Sequence, residues 1–130
     1  MKNRNIAIVR RTGLKQGIII KRDKNNLSFQ TKGGQEIGFI KWHASPGGKV
    51  LEIHNIHTET EFQRKGYGTY LVQEMIKLYP EYVNVYCHSR STNTKALSFY
   101  LHLGFEKVFE VKDFYGKNQN AIFFIKRLKN

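Results

Sequence analysis

The sequence predicts an α/β (α+β) fold: strands, helix, strand, helix and two closing strands, in one layer built on a central mixed, mostly antiparallel, twisted sheet of six to seven strands with flanking helices. Three observations carry this. Period-2 apolar alternation recurs in short runs bounded by Gly-rich turns. Two longer segments instead carry apolar residues at helical spacing, and each stops at a helix breaker, Pro80 or Gly104. With 130 residues, 40% hydrophobic and 13% aromatic, the chain can bury a core without metals or disulfides, which predicts a single domain over 1–130.

The first 26 residues are the least decided, because IAIV and GIII are short apolar runs that read as strand or as helix fragment. From Leu27 the pattern is firmer. LSFQ and EIGFIKWHA flank Lys32-Gly33-Gly34, a hairpin turn in which glycine supplies the positive φ. Ser45-Pro46-Gly47-Gly48 then turns the chain into KVLEIHNIHT. That strand changes phase: Leu51 and Ile53 hold odd positions, and the next apolar residue is Ile56. An extra residue near His54-Asn55, a β-bulge, would restore the alternation and free backbone groups for a ligand. The plainer alternative is a polar Asn55 on a half-buried face.

Leu71, Val72, Met75, Ile76, Leu78 and Tyr79 form the apolar stripe of a helix that ends before Pro80. YVNVYC alternates as a strand, with Val83, Val85 and Cys87 on one side and Tyr86 and His88 on the other. A second helix is predicted from about Asn93 to Leu103, its inward set Ala96, Phe99, Tyr100 and Leu103. FEKVFEV and AIFFIKRL read as the closing strands on either side of a polar loop, DFYGKNQN.

Composition narrows the function. Cys87 is the sole cysteine, which excludes an internal disulfide and suits a reducing compartment. No apolar run approaches the roughly 20 residues of a membrane span, and the basic N-terminus carries too short an apolar stretch for a signal peptide. The expectation is a cytoplasmic protein with no membrane partner. Twenty-two Lys+Arg against ten Asp+Glu give a net charge of +12, a field that attracts nucleic acid or a multiply phosphorylated cofactor. The basic residues are spread rather than packed in a block, so solubility alone explains them equally well.

The most informative stretch is 62-FQRKGYGTYL-71. Strand, short loop, Gly66-Tyr67-Gly68 and helix make a phosphate cradle, in which free amides and the helix dipole meet at one spot. A dinucleotide fingerprint needs a third glycine at position 71, which is Leu. A P-loop needs Gly-Lys followed by Ser or Thr, and no such run exists. About thirty residues on, Asn93, Ala96, Tyr100 and Gly104-Phe105 give the spacing N-x2-A-x3-Y-x3-GF. With Gln63-x-x-Gly66-x-Gly68 upstream, the chain resembles the GNAT N-acetyltransferase superfamily from Leu27 to the C-terminus. In flavour it is nearest to the ribosomal-protein alanine N-acetyltransferases.

The resemblance implies an acetyl-CoA-dependent N-acetyltransferase in which a primary amine attacks the thioester directly in a ternary complex. Acetyl-CoA is then the cosubstrate, with no metal; the five histidines form no recognisable metal site. Gln63, Arg64, Lys65, Gly66, Tyr67, Gly68 and Thr69 would hold its pyrophosphate. Ile56, His57 and Thr58 would pair with its pantetheine arm. Asn93 matches a residue that contacts the cofactor, although an N-cap alone would place asparagine there. Tyr100 matches the tyrosine that protonates the departing thiolate; its plain alternative is a core aromatic. For the base there are two candidates. Glu52 lies fourteen residues before Gly66, where histone-type members carry a glutamate. His88 lies five before Asn93, where the alanine N-acetyltransferases carry one, and a histidine's near-neutral titration suits the task.

The chain departs from the family at its N-terminus, where TGLKQG leaves little room for the helices that build the acceptor slot. That slot would be open, or completed by a partner subunit in a homodimer. Phe114 and Tyr115, in the predicted loop, match an aromatic wall that clamps a peptide N-terminus, which leans the acceptor towards a protein or peptide amine. The alternatives are a nucleic-acid-associated amine such as aminoacyl-tRNA, drawn by the basic surface, or a non-catalytic member that binds CoA or RNA.

Overall fold

The computed structural model describes residues 4–8 and 17–129, with side chains from Gly17 onward. The element order is β1 (Arg4–Ile8), β2 (Ile19–Asp23), β3 (Asn26–Gln30), β4 (Glu36–Ala44), β5 (Val50–Thr58), α1 (Tyr67–Lys77), β6 (Asn84–Arg90), α2 (Thr94–His102), β7 (Glu106–Gly116) and β8 (Gln119–Arg127). The undecided N-terminal stretch is strand in β1 and β2; Val9 and most of TGLKQG lie outside the described residues. The described chain therefore has eight strands, β1 being one beyond the expected six to seven, in an α/β arrangement with two α-helices. It divides into two units, each drawn from two stretches of sequence.

The first unit, Met1–His43 with Ile53–Pro80, follows the strand order β1-β2-β3-β4-β5. β1, β2, β3 and β4 pair antiparallel in succession. The hairpin turn after β3 is closed by bonds from Gly34 N to Thr31 O (3.0 Å) and from Thr31 N to Gln35 O (2.9 Å). A register shift between Phe29 and Gln30 sets Gly38 opposite Phe29 and Glu36 opposite Gln30, so Ile37 is the extra residue of a bulge in β4. In β5 the inward set moves from odd to even positions: Ile53 is buried, His54 and Asn55 are both exposed, and Ile56 and Thr58 are half-buried. This is the change of phase the sequence predicts. α1 packs its stripe of Leu71, Val72 and Met75 into the core with Leu27, Phe29, Ile37 and Ile40. Each such side chain contributes about 1.5–3 kcal/mol of burial. Beyond α1, Tyr79 accepts a hydrogen bond from the Trp42 indole N–H at 2.7 Å.

The second unit, Ala44–Glu52 with Glu81–Asn130, follows the order β5-β6-β8-β7. The parallel pairing of β5 with β6 covers only Val50–Glu52 against Asn84–Tyr86. β6 continues to Arg90, paired antiparallel with β8 along its length. α2 begins at its N-cap Asn93 and covers one face, where Val85, Cys87, Tyr100, Phe105 and Phe124 are buried.

One expectation fails here. DFYGKNQN is not a loop: β7 runs through to Gly116, and only Lys117 and Asn118 turn the chain. The register is irregular between Val111 and Gly116, and polar side chains replace the missing ladder bonds. Asn120 Oδ1 accepts from Asp113 N at 3.0 Å, and Asp113 Oδ1 accepts from Asn118 N at 2.7 Å. Polarity in this stretch therefore marks a pinned hairpin end.

Candidate functional site

In the first unit the chain leaves β5 at Thr58, makes a single 3-10 turn over Thr60–Phe62, and reaches α1 through Gln63-Arg64-Lys65-Gly66. Arg64 (φ 63°) and Gly66 (φ 91°) are left-handed, and Lys65 between them is not. Alternation of this kind turns successive N–H groups towards one side, making a concave nest for an anion. Gly66 is the N-cap of α1, so no side chain caps the first-turn amides, and no carboxylate stands in that turn. The helix dipole adds positive potential at the same end. Arg64 and Lys65 are exposed at the lip. A side chain at position 66 would be strained by the positive φ and would meet the Tyr70 ring at 3.6 Å. These are the properties a pyrophosphate requires, and the loop fits it.

Two loop residues engage their side chains within the protein. Tyr67 is 4% exposed, held edge-on by Phe29 and Phe62 at 6.4 and 5.9 Å, so it anchors the helix start and offers a ligand only its N–H. Gln63 donates its Nε2–H to Thr58 O at 2.9 Å, tying the loop back to the end of β5. The main chain beside it is also partly engaged: Glu59 N donates to Ile37 O at 2.8 Å. Ile56 is half-buried and His57 exposed, with His57 Nε2 3.4 Å from Glu59 Oε2.

In the second unit the candidate acid and the two candidate bases stand on different faces. Tyr100 is 5% exposed, surrounded by the rings of Phe99, Phe105 and Phe124 at 5.3–5.5 Å. The Cys87 thiol is its polar neighbour. Burial, then the adjacent thiol, holds the phenol well above its ordinary range, so Tyr100 stays protonated. Burial likewise pushes up the Cys87 thiol, against the smaller effect of Tyr100's hydrogen bond, so this sulfur is an inert core group. Asn93 accepts from Ala96 N at 3.0 Å through Oδ1, so that oxygen serves the helix.

His88 lies on the opposite face of β6 from Cys87. Its Nδ1 is 2.6 Å from the Tyr115 hydroxyl, and its ring packs against Phe114 and Phe123 at 5.0 and 4.8 Å. Phe114 and Tyr115 therefore do gather at a candidate base, from strand β7 rather than from a loop. Glu52 is registered with Tyr86, which puts it on the His88 face one row along. Residues that sequence reading overlooked complete the group. Arg90 lies over the Tyr115 ring, 4.8 Å from its centroid, and is hydrogen-bonded to Gln119, while Phe109 stacks on Phe123 at 5.0 Å. Alternation from His88 would have found Arg90, since residues i and i+2 share a face. No sequence signal pairs Tyr115 with His88.

The profile of the Acetyltransferase (GNAT) family matches residues 14–105, well over half of the chain. The chain belongs to the GNAT acetyltransferase family. The match ends before β7, so the hairpin carrying Phe114 and Tyr115 lies beyond it. No curated protein matches this GNAT chain. Solved structures with the same fold include the ribosomal-protein-S18-alanine N-acetyltransferase from Escherichia coli, at 19% identity and TM-score 0.69 over 81% of this chain and 69% of that one. Arabidopsis thaliana NAA60 in complex with a bisubstrate analogue matches at 17% and 0.69, over 86% and 76%. An aminoglycoside 6'-N-acetyltransferase complexed with coenzyme A matches at 16% and 0.68, over 82% and 74%. Among the described residues, no helix is long and apolar enough to cross a membrane.

Proposed function

We propose that this GNAT protein transfers the acetyl group of acetyl-CoA to the primary amine of a protein or peptide by direct attack. The observation that carries the cofactor half is the uncapped start of α1 behind left-handed Arg64 and Gly66, an anion site made of backbone. Amides of residues 66–69 hold the pyrophosphate, with Arg64 and Lys65 adding charge. The cosubstrate supplies the acetyl group as a thioester.

The chain's residues then manage protons. His88 takes the proton the amine nitrogen loses as its bond to the acetyl carbon forms, and Glu52, on the same face, is the second candidate. Tyr100, which burial keeps protonated, donates its hydroxyl proton to the thiolate as the carbon–sulfur bond breaks. The aromatic group of Phe114 and Phe123 beside His88 favours a peptide end over a polycation, since it offers apolar contact. The S18-alanine enzyme among the structural relatives supports the same reading.

The test measures CoA release with labelled acetyl-CoA against peptides of varied N-terminus, lysine side chains, aminoglycosides, polyamines and charged tRNA. Peptide N-termini should give the highest kcat/KM. A clear preference for any other class overturns the acceptor assignment, and no turnover with any of them overturns catalysis. His88→Gln and Glu52→Gln, compared separately, identify the base by which one removes the acidic limb of the pH–rate profile.

A further inference from the structure

The expected part for Tyr115 is a wall against the acceptor, yet its hydroxyl is spent elsewhere. It lies 2.6 Å from His88 Nδ1, a short contact between a phenol and an imidazole. Behind it the connection continues: Arg90 stacks on the Tyr115 ring at 4.8 Å, and Gln119, across the β6–β8 ladder, holds the Arg90 guanidinium. Phe114 meets the imidazole edge-on and Phe123 lies tilted against it, so the ring plane is fixed from two further sides. Three side chains from β7 and β8 thus hold the imidazole directly, and Arg90 and Gln119 back Tyr115.

We propose that Tyr115 is the positioning residue of His88: it fixes the imidazole's tautomer by accepting the Nδ1–H, leaving Nε2 as the basic nitrogen. This rests on the reading of His88 as the base. The balance is simple. Nε2 takes the amine proton, the ring becomes imidazolium, and the positive charge is shared through Nδ1–H with the Tyr115 oxygen. Burial raises the Tyr115 phenol above its ordinary range, with Arg90 working in the opposite direction, so Tyr115 stays neutral and competes for no proton near neutrality. By register, the other titratable or charged groups on this face among the described residues include Arg90 and Tyr86 on β6, Glu52 on β5, and Arg127 on β8 with Glu106 on β7, which pair at 3.8 Å; β8 presents Phe123 beside His88, and α2 packs on the other face.

Tyr115→Phe keeps the ring, and with it the Arg90 stack and any wall against the acceptor, and removes only the oxygen. With the best amine acceptor, kcat should fall roughly tenfold, a fraction of the 10²–10⁴ a whole base supplies. KM for acceptor and acetyl-CoA should stay within about twofold. A hydrogen bond to Nδ1–H favours the imidazolium, so its loss makes His88 less basic and moves the acidic limb of the pH–rate profile to lower pH. Tyr115→Phe added to His88→Gln should cost nothing further. An unchanged kcat and limb, or a change in acceptor KM alone, overturns the positioning role and returns Tyr115 to the wall. If His88→Gln is itself fully active with an unaltered profile, the base assignment has failed instead, and the two failures are told apart by the single variants.

Discussion

The loop before α1 presents main-chain amides held by two left-handed residues, whereas the β6–β8–β7 face presents side chains held by one another. The first depends on which residues lack a side chain; the second depends on which side chains meet. Substitution therefore acts differently in each. In the loop, adding atoms is the damaging change, because it fills the space we propose for a phosphate. On the sheet face, removing atoms is, because each ring or hydroxyl orients the next.

Gly66→Val attacks the backbone site and should have the largest effect. The strained φ and the blocked cradle together should weaken acetyl-CoA binding roughly 100-fold or more by calorimetry, with the fold intact by circular dichroism. Retained affinity would mean the loop is an ordinary turn. Tyr100→Phe attacks a side chain and should lower kcat about 100-fold while acetyl-CoA affinity changes by less than about twofold.

The same variant reports on stability. Tyr100's folded-state pKa is raised, so its contribution is complete below the unfolded value of about 10 and is lost as pH climbs from there towards the folded value. Cys87 acts with the same sign from its unfolded value of about 8.5 upward. The wild type should lose stability above pH of about 9, and Tyr100→Phe should lose less over the upper part of that range, as denaturant midpoints at several pH values would show. Equal alkaline losses in both would move the burden to Cys87 or elsewhere. The smallest change is Gln63→Ala, which removes the bond to Thr58 O and should cost about 1 kcal/mol of stability with little loss of cofactor affinity. If affinity falls as far as in Gly66→Val, the loop depends on side chains after all and the contrast dissolves.

The contrast also explains what could be read in advance. Gly66 and Gly68 are visible as letters, and their position between a strand and an apolar helical stripe conveys a geometry by itself. The helix stop at Gly104 and the phase change in β5 were legible for the same reason, each being a local rule, whereas α1 ends at Lys77, leaving Leu78 and Tyr79 of the expected stripe between the helix and Pro80. Residues whose meaning depends on a neighbour far along the chain were not. The enclosure of the Tyr67 ring by Phe29 and Phe62 is one such case. Tyr115 looks like a loop aromatic until strand pairing brings it, 27 residues away in sequence, to His88. DFYGKNQN looked irregular because polar residues usually mean turns, and here Asp113 and Asn120 use those polar atoms to prolong a hairpin.

Gly38 has a bearing on all of this. A methyl group there would lie 2.5 Å from the His57 carbonyl oxygen, a main-chain atom, so the backbone itself would have to shift. The bulge at Ile37 and the bare Gly38 let β4 run hard against the segment of β5 that feeds, through Thr58 and Gln63, into the phosphate loop. An alanine at position 38 would push that segment outward and shift the loop's starting point. Gly38→Ala should therefore weaken acetyl-CoA binding, which calorimetry on that variant checks.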